Sequence, residues 1–131
     1  ESLVQVYALT DALVEQYQPS SVHIAGFSQG ASMALSAALK KPHNFAGAIA
    51  LSGVCGPEMM PEDPASVRDL PVFMSHGRQD PVIPIAQART SKQMLEPLAL
   101  ALVYNEYDMP HTINQSCLED LAVWLKVQLA L

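Results

Sequence analysis
The chain has 131 residues, half of them hydrophobic, with a formal net charge of -6 and a pI near 5.0. That length holds one core and excludes two, and the acidic balance supplies no basic stripe for nucleic-acid phosphates or an anionic membrane surface. No apolar run approaches bilayer-spanning length, which predicts no stable membrane insertion. The two cysteines, Cys55 and Cys117, lie far apart without metal-ligand spacing and predict a reduced, cytoplasmic setting rather than a disulfide framework.

Taken in chain order, the first predicted element is a helix over Ser2 to Tyr17, with Leu3, Val6, Tyr7, Leu13, Val14 and Tyr17 roughly along one face. Pro19-Ser20-Ser21 leads into a short β-rich strand, Val22 to Ala25. Gly26-Phe27-Ser28-Gln29-Gly30 follows, and then Ala31, Met33, Ala34, Leu35, Ala37, Ala38 and Leu39 predict a helix from Gln29 to Lys41 that Pro42 stops. A serine between two glycines, after a strand and before a helix, has the pattern of a nucleophile elbow. Its turn is so abrupt that the serine is strained and side chains two residues to either side are expected to meet backbone, a demand glycine satisfies. Serine also favours helix N-caps, a rival reading that does not need both glycines.

Phe45 to Leu51 is nearly all apolar, as a strand buried on both faces is. Val54 to Leu70 is rich in proline and acid without periodicity and predicts a long surface loop near the strand ends. A strand at Val72 to His76, a helix from Ile85 to Leu98, a strand at Leu100 to Glu106 and a helix from Asn114 to Leu129 complete the chain; in the last, Leu118, Leu121, Ala122, Leu125 and Leu129 share a face. This alternation implies crossover connections and an α/β fold, a mainly parallel sheet flanked by helices.

Two later segments offer what a serine nucleophile needs. His76-Gly77-Arg78-Gln79-Asp80-Pro81-Val82-Ile83-Pro84 puts a carboxylate in a turn past a strand end, and Tyr107-Asp108-Met109-Pro110-His111 puts a histidine in a loop before the last helix. The hydroxyl is a weak nucleophile at neutral pH, so Ser28 needs a base to take its proton, and His111 fits that role. Asp80 fits the acceptor that orients the imidazole. It could also serve only to shape its turn, Asp108 competes from the histidine's own loop, and His111 could be a simple loop histidine. The backbone N–H of Gln29 is placed as one oxyanion donor. Met109, beside His111, is a candidate substrate contact, although methionine also fills cores. His23 reads as a packed strand residue, His43 as an exposed helix-end residue and His76 as a brace of its own turn. None has a metal-ligand partner, and the chemistry requires neither metal nor cofactor.

Together Gly26-Phe27-Ser28-Gln29-Gly30, His76-Gly77-x-x-Asp80-Pro81-Val82-Ile83-Pro84 and Tyr107-x-Met109-x-His111 resemble the phospholipase/carboxylesterase family of α/β-hydrolases, which includes bacterial carboxylesterases and acyl-protein thioesterases. The resemblance runs from about Val22 to the end of the chain. It implies Ser28 as nucleophile, Asp80 as orienting acid and His111 as general base. Ala31 stands where the family usually has a second glycine after the elbow, and Pro110 where it usually has a glycine before the histidine.

The family also carries an upstream strand and a His-Gly-type loop that supplies the second oxyanion N–H, and nothing before Ser20 resembles them. Residues 1–131 are therefore expected to be the C-terminal part of a single α/β-hydrolase domain whose sheet lacks its N-terminal strands. One edge of the Val22 to Ala25 strand is then unpaired, which favours homo-oligomers or pairing with the upstream segment. The implied activity is cleavage of small-molecule carboxylic esters of small or medium acyl chains through an acyl-Ser28 intermediate. An acyl-protein thioesterase or lysophospholipase differs only in leaving group and acyl length. A non-catalytic ligand-binding protein on the same fold is the alternative of another class, against which the intact Ser-Asp-His set argues.

Overall fold
Four parallel strands form the frame of the molecule, seen in a computed structural model that describes residues 2–130. The elements in chain order are α1 (Ser2–Tyr17), β1 (His23–Phe27), α2 (Gln29–Lys40), β2 (Gly47–Leu51), β3 (Pro71–Gly77), α3 (Ile85–Leu95), β4 (Ala101–Tyr107) and α4 (Gln115–Leu129). Strand order in the sheet equals sequence order, β1-β2-β3-β4. Register runs from His23 opposite Gly47, through Ala48 opposite Val72, to Pro71 opposite Ala101. When every parallel crossover steps the same way with the same hand, all crossovers cover one face of the sheet. The packing follows that rule. Ala48, Ala50, Val72 and Met74 face Leu35, Leu39, Met59, Val67 and Leu95 in the main core. On the opposite face, Ile49, Leu51 and Phe73 meet Trp124 of α4.

All five residues of β2 are buried, as its apolar run predicts. By contrast β1 is only partly covered, and its outer edge has no strand partner among the described residues. No helix among the described residues is long and apolar enough to cross a membrane.

Three expectations change. Residues 54–70 are more than a surface loop: Pro57, Glu58 and Glu62 to Ala65 are exposed, but short 3-10 turns at Pro57–Met59 and Pro64–Val67 bury Cys55, Met59, Val67 and Leu70. This segment is the β2-to-β3 crossover, so it must cover the sheet where a helix would otherwise lie. A proline starts each turn at a position where no N–H is needed, and Asp63 caps the second by accepting from the Ala65 N–H at 3.1 Å. In α1 only Leu3, Val6 and Tyr7 pack on the core, while Leu13, Val14 and Tyr17 stay exposed. Tyr7 anchors that end by donating to the Ala37 carbonyl at 2.9 Å. In α4 the inward stripe is Cys117, Leu121, Trp124 and Leu125, whereas Leu118, Ala122 and Leu129 face outward. The large indole at 124 fills the space over Phe73, at a ring separation of 5.8 Å, and that contact sets the rotation of the helix.

Candidate active site
The loops at the C-terminal ends of β1, β3 and β4 converge. That convergence is a property of parallel sheets, in which every strand ends on the same side. Ser28 sits between β1 and α2 with φ 60° and ψ -118°, a backbone state that costs about 1–3 kcal/mol and persists only where neighbours enforce it. The Ser28 N–H donates to the Leu51 carbonyl at 2.8 Å, tying the turn to β2. Gly26 is required: a Cβ there would lie 2.0 Å from the Gly30 carbonyl oxygen. Gly30 itself differs from expectation, because a Cβ at that position would meet nothing within 4 Å. The steric demand is therefore one-sided within the described residues: Gly26 makes room for residue 30, and residue 30 has free space of its own.

The N-cap reading of Ser28 does not hold, since its side chain makes no capping hydrogen bond. Instead its Oγ lies 2.9 Å from His111 Nε2, across 83 residues of sequence. On the other side of the ring, His111 Nδ1 lies 2.7 Å from Asp80 Oδ2. An ionised carboxylate only accepts, so Nδ1 carries the proton, Nε2 is the acceptor, and the Ser28 hydroxyl donates to it. Asp108 is elsewhere: its side chain is exposed and accepts from Arg78 Nη1 at 2.8 Å.

Asp80 is buried, at 6% exposure. Burial alone would raise its carboxyl. Hydrogen bonds from the Ile83 N–H, His111 and the Val82 N–H, with the His111 charge, outweigh it and hold Asp80 below the ordinary carboxylate range. Both N–H groups donate to Oδ1 at 2.8 Å, which leaves Oδ2 for the imidazole. Behind this, the buried His76 donates from Nε2 to the Ile83 carbonyl at 2.8 Å and lies 3.4 Å from Asp80 Oδ2. It braces its turn as its position suggested. The two loops are also fastened directly, by the Arg78 N–H to the Tyr107 carbonyl at 2.8 Å and the Gln79 N–H to the Met109 carbonyl at 3.2 Å.

Gln29 opens α2, where first-turn N–H groups have no acceptor within the helix and point past Ser28. Met109 is 3% exposed and packs with Tyr107 and Cys117. Its side chain supports the histidine loop from beneath, a core role rather than an opening onto Ser28. An open groove of about 370 Å³ beside the elbow is lined by Leu3, Gln29, Met33 and Met59, among others. Two contributors have no signal in the sequence. Ser52, at φ 59° and fully buried, reaches the Thr112 carbonyl at 3.5 Å, and Phe27 lays its ring 4.9 Å from that of His111. Both contacts join segments remote in sequence, which no local pattern marks.

The family model described as phospholipase/carboxylesterase matches residues 1–129. The chain is 33% identical over 124 residues to acyl-protein thioesterase 1 of Kluyveromyces lactis, covering 86% of this chain and 52% of that protein. It is 25% identical over 133 residues to carboxylesterase SOBER1 of Arabidopsis thaliana, covering 98% and 58%. Among solved structures, esterase PE8 superimposes with a TM-score of 0.79 at 30% identity, over 92% of this chain and 57% of that one. The Bacillus cereus carboxylesterase, 20% identical, shares the fold with a TM-score of 0.78 over 96% of this chain and 59% of its own. The chain thus spans about half the length of the curated relatives it matches. With its strand order, its three converging loops and a family match over nearly its whole length, the chain belongs to the phospholipase/carboxylesterase family of α/β-hydrolases.

Proposed function
We propose that this protein is a serine hydrolase that cleaves carboxylic esters of small or medium acyl chains, with Ser28 as nucleophile, His111 as general base and Asp80 as orienting acid. The observation that carries this reading is the unbroken hydrogen-bonded line from Ser28 Oγ through His111 to Asp80, with contacts of 2.9 and 2.7 Å. His111 Nε2 takes the hydroxyl proton as Oγ attacks the carbonyl carbon. The tetrahedral oxyanion accepts from the Gln29 N–H. Collapse expels the alcohol, which takes the proton from His111 and leaves acyl-Ser28. Water then attacks the acyl carbon and gives its proton to His111; the carboxylic acid departs and Ser28 recovers its hydrogen.

Residues 1–131 form, in this reading, the C-terminal part of a single hydrolase domain, and the second oxyanion donor comes from an upstream segment. One missing donor costs about 3 kcal/mol, roughly a hundredfold or more in rate. A thioester in place of the ester is the second reading, favoured by the 33% identity to a protein named acyl-protein thioesterase 1. The two buried free cysteines support a reducing compartment such as the cytoplasm.

The test is hydrolysis of p-nitrophenyl esters from acetate to decanoate, by this chain and by the protein with its natural upstream sequence. A burst followed by turnover is expected, faster by roughly a hundredfold in the longer form. Ser28→Ala should abolish turnover and labelling by a fluorophosphonate while leaving the circular dichroism unchanged. Esterase activity surviving in that variant, or none in the longer protein, would overturn the assignment. Acyl-thioester substrates with the same acyl groups separate the two leaving-group readings.

A further inference from the structure
We propose that Phe27 is a positioning residue for His111, holding the imidazole in place when Ser28 is acylated; this rests on the serine-hydrolase reading above. Phe27 is the last residue of β1, directly before the strained Ser28, and the β-ladder to Leu51 fixes its backbone. Its ring centroid lies 4.9 Å from that of His111 with 48° between the planes, within the range of favourable aromatic contacts. Among the described residues, the aromatic ring it contacts is that of the base.

The free protein holds the imidazole at both nitrogens, by Asp80 and by Ser28. Acylation consumes the Ser28 Oγ proton, and Nε2 loses that partner. His111 must then keep its aim with the Asp80 bond alone while it accepts a proton from the incoming water. The Phe27 ring is unaffected by acylation, because it belongs to the strand and not to the reacting group. It blocks the ring from rocking away from the acyl carbon. Deacylation is therefore the step that depends on Phe27, since small misplacements of a reacting group are costly.

The experiment compares wild type, Phe27→Leu and Phe27→Tyr in the protein with its natural upstream sequence, using p-nitrophenyl acetate. In Phe27→Leu the burst should remain near one acyl group per enzyme, showing a folded, acylating site. Steady-state kcat should fall roughly tenfold, with KM falling alongside, because acyl-enzyme accumulates. Phe27→Tyr, which keeps the ring, should restore kcat. In a Ser28→Ala background, where Nε2 lacks its hydroxyl partner as in the acyl-enzyme, the low-field proton resonance of His111 Nδ1–H should be sharp with Phe27 or Phe27→Tyr and broadened with Phe27→Leu. Unchanged kcat in Phe27→Leu, or a raised KM at constant kcat as a substrate contact would give, overturns the proposal. If wild type shows neither burst nor fluorophosphonate labelling, the hydrolase reading fails instead. The Nδ1–H resonance needs no substrate, and equal line widths in the three Ser28→Ala proteins would then overturn the Phe27 role on their own.

Discussion
Ser28 holds a backbone state with φ 60° and ψ -118° that side chains disfavour and glycine adopts at little cost. The strain is tolerated because it lifts Oγ off the helix and towards His111. Ser28→Gly should therefore remove activity and stabilise the fold together. The relieved strain, less the greater chain entropy of glycine, leaves a gain of about 1 kcal/mol. Thermal unfolding should show Tm rising by a few degrees for Ser28→Gly but not for Ser28→Ala, whose Cβ keeps the strain. Equal Tm for both variants would mean that the elbow stores no energy. The proposed role of Ser28 thus opposes stability at one residue, and its backbone angles are what reveal it.

Among the elements, the loops after β3 and β4 are set by how closely they approach. A Cβ on Gly77 would come 2.1 Å from the Met109 carbonyl and 2.3 Å from that of Pro110, both backbone atoms that cannot swing aside. Gly77→Ala should push the His111 loop outward, costing about 1–3 kcal/mol and most of the turnover. Gly30→Ala should do the reverse: with nothing within 4 Å of the added methyl, replacing a helical glycine gains about 0.5–1 kcal/mol. Urea unfolding of the pair checks both signs. A stabilised Gly77→Ala or a strongly destabilised Gly30→Ala would contradict the geometry.

The same end of the sheet carries an ion network. Arg89 grips Glu106 with bonds of 2.9 and 2.8 Å, and Tyr104 donates to Glu106 at 2.8 Å. The Arg89 bonds, against the opposing effect of burial and with help from Tyr104 and Arg78, hold the Glu106 carboxyl at about 2, below its ordinary 4.5. A carboxyl depressed on folding stabilises the protein fully above its unfolded value and loses that contribution as pH falls through the folded one. Wild type should thus lose stability faster than Glu106→Gln between about pH 4.5 and 2. The difference is limited to about 1 kcal/mol by solvent around the half-exposed Arg89. Parallel pH-stability curves would refute it.

Most of the elements were legible because a glycine or proline stands near an end, as Pro42 after α2, Gly53 after β2 and Pro84 before α3, and because the apolar pattern suits the type. Ser28, Asp80 and His111 could be grouped as candidates from the sequence because each stands in a loop just past a strand end. What was hidden depends on distance. The apolar count of α4 favoured Leu118 and Leu129, but the pocket over Phe73 takes Trp124. Residues 54–70 lack a period because they cover the core with proline-started turns. Met109 and Phe27 could be sorted into core and site only once β4 and β1 were set side by side with α4 and the histidine loop.

At the scale of the whole molecule, the sheet has two edges, β1 and β4, with no further strand partner among the described residues. β2 and β3 are covered on both faces, while β1 is only partly covered, and Leu9, Leu13 and Val14 of α1, the helix that precedes it, are exposed. An unpaired edge offers a row of N–H and C=O groups that another strand can take up, and apolar side chains nearby strengthen the contact. The chain by itself should therefore associate with rising concentration, pairing β1 of one copy with β1 of another. Ala25, exposed in the middle of that strand, is where a charge would block it. In sedimentation velocity the 131-residue chain should show a concentration-dependent shift to dimer or larger species, and Ala25→Lys should return it to monomer, since apposed edges would each bring a buried positive charge. A monomer at every concentration, or association indifferent to the lysine, would place the sticky surface elsewhere. Restoring the natural upstream sequence gives the decisive contrast: if its strands occupy the β1 edge, association should vanish in the unsubstituted protein, while Ala25→Lys, harmless to the isolated chain, should destabilise the longer one by leaving a lysine inside a continuous sheet.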